Sequence, residues 1–118
     1  MLPRKNRITT QNQFDRFFGR DFKKLKGRNV SADFLFIKVL PAESDVFRVG
    51  FMVNNKVDKR ATMRNKIKRQ LREIFHASLP KIKDKVDVLV VVNKKIVGKE
   101  YSEMEKVVLD LLKRTRIL

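Results

Sequence analysis

The fold and the function both turn on residues 59–75, Lys59-Arg60-Ala61-Thr62-Met63-Arg64-Asn65-Lys66-Ile67-Lys68-Arg69-Gln70-Leu71-Arg72-Glu73-Ile74-Phe75. Apolar side chains recur here with the 3.6-residue period of an amphipathic helix. With Ile67 set at zero and a step of about 100° per residue, Met63, Leu71, Ile74 and Phe75 fall between about −40° and +80°. Arg64, Lys68, Arg72, Asn65 and Arg69 fill the adjoining arc from about 60° to 200°. Between Lys59 and Arg72 there is no acid, and Glu73 falls at about −120°. The helix thus offers one stripe to a core and a neighbouring flank of four cations and an amide. Most charged helix faces are simply solvated. Such faces usually mix signs, however, with Glu placed before Lys for mutual support. Cations four apart repel one another, at a few tenths of a kcal/mol per pair. That spacing suits a surface on which a polyanion lies, and a phosphate backbone is the natural candidate.

Working outward, the whole chain has the same bias. It has 118 residues, 29 Lys and Arg against 13 Asp and Glu, a net charge of +16 and 42% hydrophobic residues. This is one small domain, residues 1–118, with enough apolar material for a modest core. The charge points to nucleic acid or an anionic membrane. No apolar run approaches the roughly 20 residues of a span, and no hydrophobic signal segment follows the basic start. There is no cysteine, hence no disulfide framework, and a cytoplasmic location is expected.

Residues 1–8 read as a loosely held basic arm with Arg4, Lys5 and Arg7. Thr10-Gln11-Asn12-Gln13 is a capping-box pattern, followed by Phe14, Phe17 and Phe18 at helical spacing and by Gly19. Residues 20–28 continue irregularly and carry Arg20, Lys23, Lys24, Lys26 and Arg28. Asp33 to Leu40 and Val46 to Val53 alternate as strands, and their short connection predicts an antiparallel hairpin. Phe34, Phe36 and Lys38 share one face of the first. The central helix stops at Leu79-Pro80. Val86 to Asn93 is a buried β-branched strand, with Lys94 and Lys95 at its exit. Ser102-Glu103-Met104-Glu105 reads as a second capping box, opening a helix with the stripe Met104, Val107, Val108, Leu111 and Leu112. The order α-β-β-α-β-α, with a further short strand near residues 28–31, gives an α+β fold with helices on a small mixed sheet.

An enzyme acting alone needs a catalytic constellation. The chain has one histidine, His76, and four glycines, with scattered acids that form no chelating run and no glycine-rich phosphate loop. The composition is that of a binder. RNA binders join cations for phosphates to flat rings for unstacked bases, and nine Phe are available. Core packing is the simpler role for Phe47 and Phe51. A cleft between the first helix and the Phe36 and Lys38 strand face is the place where rings and lysines would meet.

The run Met63-Arg64-Asn65-Lys66-Ile67-Lys68-Arg69-Gln70-Leu71-Arg72-Glu73 closely resembles the RNR signature of bacterial ribonuclease P protein subunits. Val49-Gly50-Phe51-Met52-Val53 and Asn54-Asn55-Lys56-Val57 resemble that family's approach to the helix. The resemblance implies an α-β-β-β-α-β-α fold with a left-handed βαβ crossover holding the RNR helix, the hand opposite to the rule. It implies a protein that partners a catalytic RNA, which removes the 5′ leader of precursor tRNA by Mg²⁺-dependent hydrolysis with the metal held mainly by RNA. Carried over, Lys56, Arg60, Arg64, Asn65, Lys66, Lys68, Arg69 and Arg72 would meet the catalytic RNA. Phe14, Phe18, Phe36, Lys94, Lys95 and Arg7 would line the leader cleft. No catalytic or metal-ligating residue, membrane or small-molecule ligand is implied. The chain departs from relatives in having Asn55-Lys56 where many carry adjacent lysines, in Asp58 where Gly is frequent, and in a longer, more basic stretch 20–28. A ribosomal or other structural RNA-binding protein is the competing reading, and a basic DNA module a third.

Overall fold

A computed structural model of the chain describes residues 2–118. Its elements are α1 (Gln11–Asp15), α2 (Arg20–Lys24), β1 (Arg28–Ser31), β2 (Leu35–Pro41), β3 (Arg48–Met52), α3 (Ala61–Ser78), β4 (Val86–Val92) and α4 (Tyr101–Arg114). This is the α-β-β-β-α-β-α layout expected above, with the short strand at 28–31 present and the first helical segment broken in two. The strands form one mixed sheet in the order β1-β2-β4-β3. β2 pairs antiparallel with both β1 and β4, while β3 runs parallel to β4.

The expected hairpin between the second and third strands does not form, because β4 is inserted between them. The physical reason lies in β4 itself. Val88, Leu89 and Val90 have no exposed surface, so the strand must be covered on both faces and is best paired along both edges. α3 is therefore a crossover element linking the parallel neighbours β3 and β4. Its buried stripe is the one read from the sequence: Ile67, Leu71, Ile74 and Phe75, with Met63 half-buried. This stripe joins Leu35, Ile37, Val39, Val49, Val88, Val90 and the α4 residues Met104, Val108, Leu111 and Leu112 in the main core. The Phe75 ring stacks on Phe47 at 6.2 Å and meets Phe51 edge-on at 5.6 Å.

Three local readings change. Phe34 precedes β2 and turns into the main core instead of sharing a face with Phe36 and Lys38. The last helix begins two residues before the Ser102 box: Glu100 is its N-cap without a side-chain cap bond. Tyr101 packs against the core, which draws the first turn forward and leaves Ser102 exposed within it. The N-terminal segment buries more than a basic arm would. Leu2 is fully buried, the Asn6 amide donates to the Phe47 carbonyl at 2.7 Å, and the Ile8 N–H donates to the Val49 carbonyl at 3.0 Å. The segment thereby covers the outer edge of β3, an edge otherwise open to pairing with another chain.

The second face of the sheet carries a smaller core of Ile8, Phe17, Leu40 and Leu89 under α1 and α2. Thr10 caps α1 with the full reciprocal pattern, its hydroxyl accepting from the Gln13 N–H. α1 is tied down by charge as well. Arg16 donates to the buried Asp87 carboxylate at 2.7 Å, and Arg48 donates to the same carboxylate through two bonds of 2.9 and 2.6 Å. The bonds to Asp87 hold the Arg48 guanidinium above its already high ordinary pKa. Asp87→Asn removes the shared anion and leaves Arg48 buried beside a neutral group. This substitution is expected to cost about 3–5 kcal/mol, read as a lowered midpoint in denaturant unfolding with an unchanged slope.

Candidate nucleic-acid interface

The register of the sheet arranges its second face in three rows. At one end lie Leu40, Asp87 and Arg48; in the middle Lys38, Leu89 and Gly50; at the other end Phe36, Val91 and Met52. α1 covers the first two rows. Arg16 seals the first through Asp87. Over the middle row Phe14 presses on Gly50, where an added Cβ would sit 3.0 Å from both the Phe14 ring and the Ile8 Cβ. Phe17 is fully buried. Lys38 donates to the Phe17 carbonyl at 3.0 Å, and its ammonium lies 4.6 Å from the centre of the Phe18 ring. The third row stays half-open: Phe36, Met52 and Val91 are all only partly buried.

That open row is the floor of a trough. Phe36, Val91, Asn54, Lys56, Val57, Asn93 and Lys94 line a hollow of about 630 Å³. Lys56 comes from the β3–α3 loop and Lys94 from the β4 exit, so the two predicted basic positions meet above a predicted ring. Lys95 turns toward Asp33, with its ammonium 3.3 Å from that carboxylate. Phe18 does not line this hollow but stands beside Lys38 of β2, with 41% of its surface exposed.

The RNR flank reaches the same surface round the edge of β3. Arg7, Phe14, Gly50, Phe51, Lys68 and Arg72 line one hollow of about 250 Å³. A second hollow of about 460 Å³ is lined by Asn65, Lys68, Arg69 and Arg72 together with Leu2 and Glu73. Among the described residues, no ion pair engages Arg64, Lys66, Lys68, Arg69 or Arg72, and Arg64 instead donates to backbone carbonyls. The flank thus faces outward as a set of cations that, among the described residues, no carboxylate pairs with.

A family model described as Ribonuclease P matches residues 2–116. The chain belongs to the ribonuclease P protein family. It is 30% identical over 119 residues to the ribonuclease P protein component of a Pseudanabaena strain, covering 100% of this chain and 97% of that one. To the Syntrophomonas wolfei component it is 33% identical over 114 residues, covering 97% and 90%. Among solved structures, the Staphylococcus aureus RNase P protein superposes with a TM-score of 0.81 at 26% identity, covering 95% of this chain and 96% of that one. The Thermotoga maritima RNase P protein gives 0.69 at 30% identity, covering 80% and 91%. The role of the chain is therefore in ribonuclease P and tRNA processing, in partnership with the ribonuclease P RNA.

Within this ribonuclease P protein the predicted residues do not all converge. Lys66 faces the other way, into a hollow with Gln70, Gly98 and Tyr101 between α3 and the start of α4. Glu73, at about −120°, lies only about 40° from Arg69 on the wheel and accordingly borders the Arg69 and Arg72 hollow. Arg60 and Arg64 organise the approach loop. Arg64 donates to the Asp58 and Lys59 carbonyls, both at 2.8 Å. The Asp58 carboxylate accepts from the Arg60 N–H at 2.8 Å and from its guanidinium at 3.1 and 2.9 Å. Val91 as a floor residue and Lys38 as a link to the segment after α1 are not visible in the sequence, since only the strand register reveals which positions share a row. No group of three or more His, Asp or Glu among the described residues could hold a metal ion, and no helix there is long and apolar enough to cross a membrane.

The bonds from Arg60 hold the Asp58 carboxyl down to about 2 from its ordinary value. Because its folded pKa is depressed, this pair stabilises the loop above the ordinary carboxylate range, and the contribution fades as pH falls through about 2. A carboxyl-carbon NMR titration should give an Asp58 midpoint near 2, shifted to the ordinary range in Arg60→Ala.

Proposed function

We propose that the chain binds the catalytic RNA of ribonuclease P through the Asn65, Lys68, Arg69 and Arg72 flank of α3, and the 5′ leader of precursor tRNA along the trough on the opposite face of the sheet. The observation that carries this reading is the hollow at the β3 edge, where Lys68 and Arg72 from the RNR helix meet Arg7 and Phe14. A single strand leaving the catalytic RNA there would pass directly between the flank and the trough. Its phosphates would meet Lys56 and Lys94, and its bases would find Phe36 and Phe18.

On this reading the protein orients substrate and neutralises phosphate charge, while the RNA performs the hydrolysis. Mg²⁺ would be held mainly by the RNA. The cationic flank would also lower the divalent-ion demand of the assembled complex, because fixed protein charges replace part of the counterion atmosphere. The protein alone would cleave nothing.

Reconstitution with a bacterial ribonuclease P RNA and precursor tRNA at low Mg²⁺ tests the reading, which unchanged cleavage on adding the protein would remove. Arg69→Ala is expected to weaken assembly with the RNA and to flatten the log–log salt dependence by about 0.7–0.9. Phe18→Ala should cost about 1–3 kcal/mol in affinity for substrates with a leader and nothing for substrates without one. Equal losses for both would show that Phe18 acts elsewhere.

A further inference from the structure

Residues 20–28 hold Arg20, Lys23, Lys24, Lys26 and Arg28 against one acid, Asp21, and the leader and RNR readings leave them unused. Their position is built, not incidental. α2 is seated by Phe22, whose ring lies 5.1 Å from the Lys38 ammonium that also holds the Phe17 carbonyl and faces Phe18. The chain leaves α2 through Lys26 in the left-handed region, at φ 59°, and the Gly27 N–H donates to the Phe22 carbonyl at 2.9 Å. Gly27 lies flat against that ring: a Cβ there would come within 2.4 Å of it. So Phe22 seats α2 on Lys38 of β2, and the Gly27 contacts fix the turn that follows the helix.

The outward side of this element combines two features. Arg20, Lys23, Lys24 and Lys26 are exposed, and among the described residues none of them takes part in an ion pair. Phe18 and Leu25, at 41% and 37%, are the exposed large hydrophobic side chains of the described chain, and they flank α2 on either side. Cations interleaved with bare apolar surface fit single-stranded nucleic acid, which offers phosphates and unstacked bases together. A folded duplex keeps its base faces stacked, so exposed apolar side chains find no ring to lie against.

We propose that α2 and the turn after it extend the leader track, taking the 5′-distal part of the precursor tRNA leader beyond the trough. The proposal rests on the leader reading above. Its direction follows from the sheet order β1-β2-β4-β3. The RNR flank meets the trough at β3, whereas Phe18 and α2 stand on the β2 side. A strand entering at β3 therefore crosses β4 and leaves over β2 onto α2.

The test uses the reconstituted holoenzyme carrying Lys23→Gln, Lys24→Gln and Lys26→Gln together, with precursor tRNAs whose leaders are lengthened one nucleotide at a time. Wild-type affinity should rise with leader length to a plateau. The variant should reach its plateau at a shorter leader and bind the longest leaders roughly tenfold more weakly, with a salt slope shallower by about 2, or about 0.7 per cation. It should match wild type with short leaders and with none, and melt at the same temperature. If the variant follows the wild-type curve at every length, α2 takes no leader and the proposal falls alone. A loss already present without a leader would assign the patch to the catalytic RNA and overturn the proposal. If wild type itself ignores the leader, the trough reading falls first.

Discussion

The structure depends on the demand of one strand for partners on every side. β4 has Val88, Leu89 and Val90 without exposed surface, so it needs a hydrogen-bonding neighbour on each edge and an apolar layer on each face. The edges are met by β2 and β3. A parallel pairing with β3 requires a crossover, and α3 is that crossover. Once α3 is laid over one face by its Ile67, Leu71, Ile74 and Phe75 stripe, its cationic flank has no freedom to turn inward. The other face then needs its own cover. α1 and α2 provide it over two of three rows, and the uncovered third row becomes the trough.

Much of this was legible in the sequence, and the failures share a cause. The α3 stripe, the Thr10 cap and the strand at 28–31 depend on local period and local side-chain chemistry, which the chain displays directly. The hairpin depended on the tendency of consecutive strands to pair, and that tendency yields when a later strand is more deeply buried than either. Periodicity marked β4 as buried but carried no information about which edges it would occupy. The site behaved in the same way. Lys68, Arg69 and Arg72 follow from the helix geometry, whereas Lys66, about 100° off the stripe on the opposite side, was carried over by family motif and faces α4 instead. Val91 became a site residue only through its register with Phe36.

Charge is handled differently on the two sides of the molecule. Where an ion pair is needed to hold the frame it is buried and shared, as with Asp87 between Arg16 and Arg48. The Coulomb gain there is set against desolvation, and bidentate geometry makes the balance favourable. In the approach loop, Asp58 gathers Arg60, and Arg64 is spent on backbone carbonyls, so two of the cations of the RNR segment shape the loop that carries Lys56. Among the described residues, the remaining cations of the flank pair with no carboxylate.

That division explains why so basic a chain still folds. The repulsion among Lys68, Arg69 and Arg72 is worth only a few tenths of a kcal/mol per pair on an exposed helix and is screened further by salt. A single buried stripe residue such as Leu71 contributes about 1.5–3 kcal/mol by burial. The core can therefore hold the flank in a repulsive arrangement at small cost to stability. Phosphates would relieve the same repulsion, so in the proposed RNA-binding role the favourable electrostatic energy would appear on binding and not on folding. A helix with mixed signs would have gained its few tenths in the free protein and lost them on every encounter with a polyanion. On the proposed reading, the arrangement across α3 would place the charge energy in the complex with RNA.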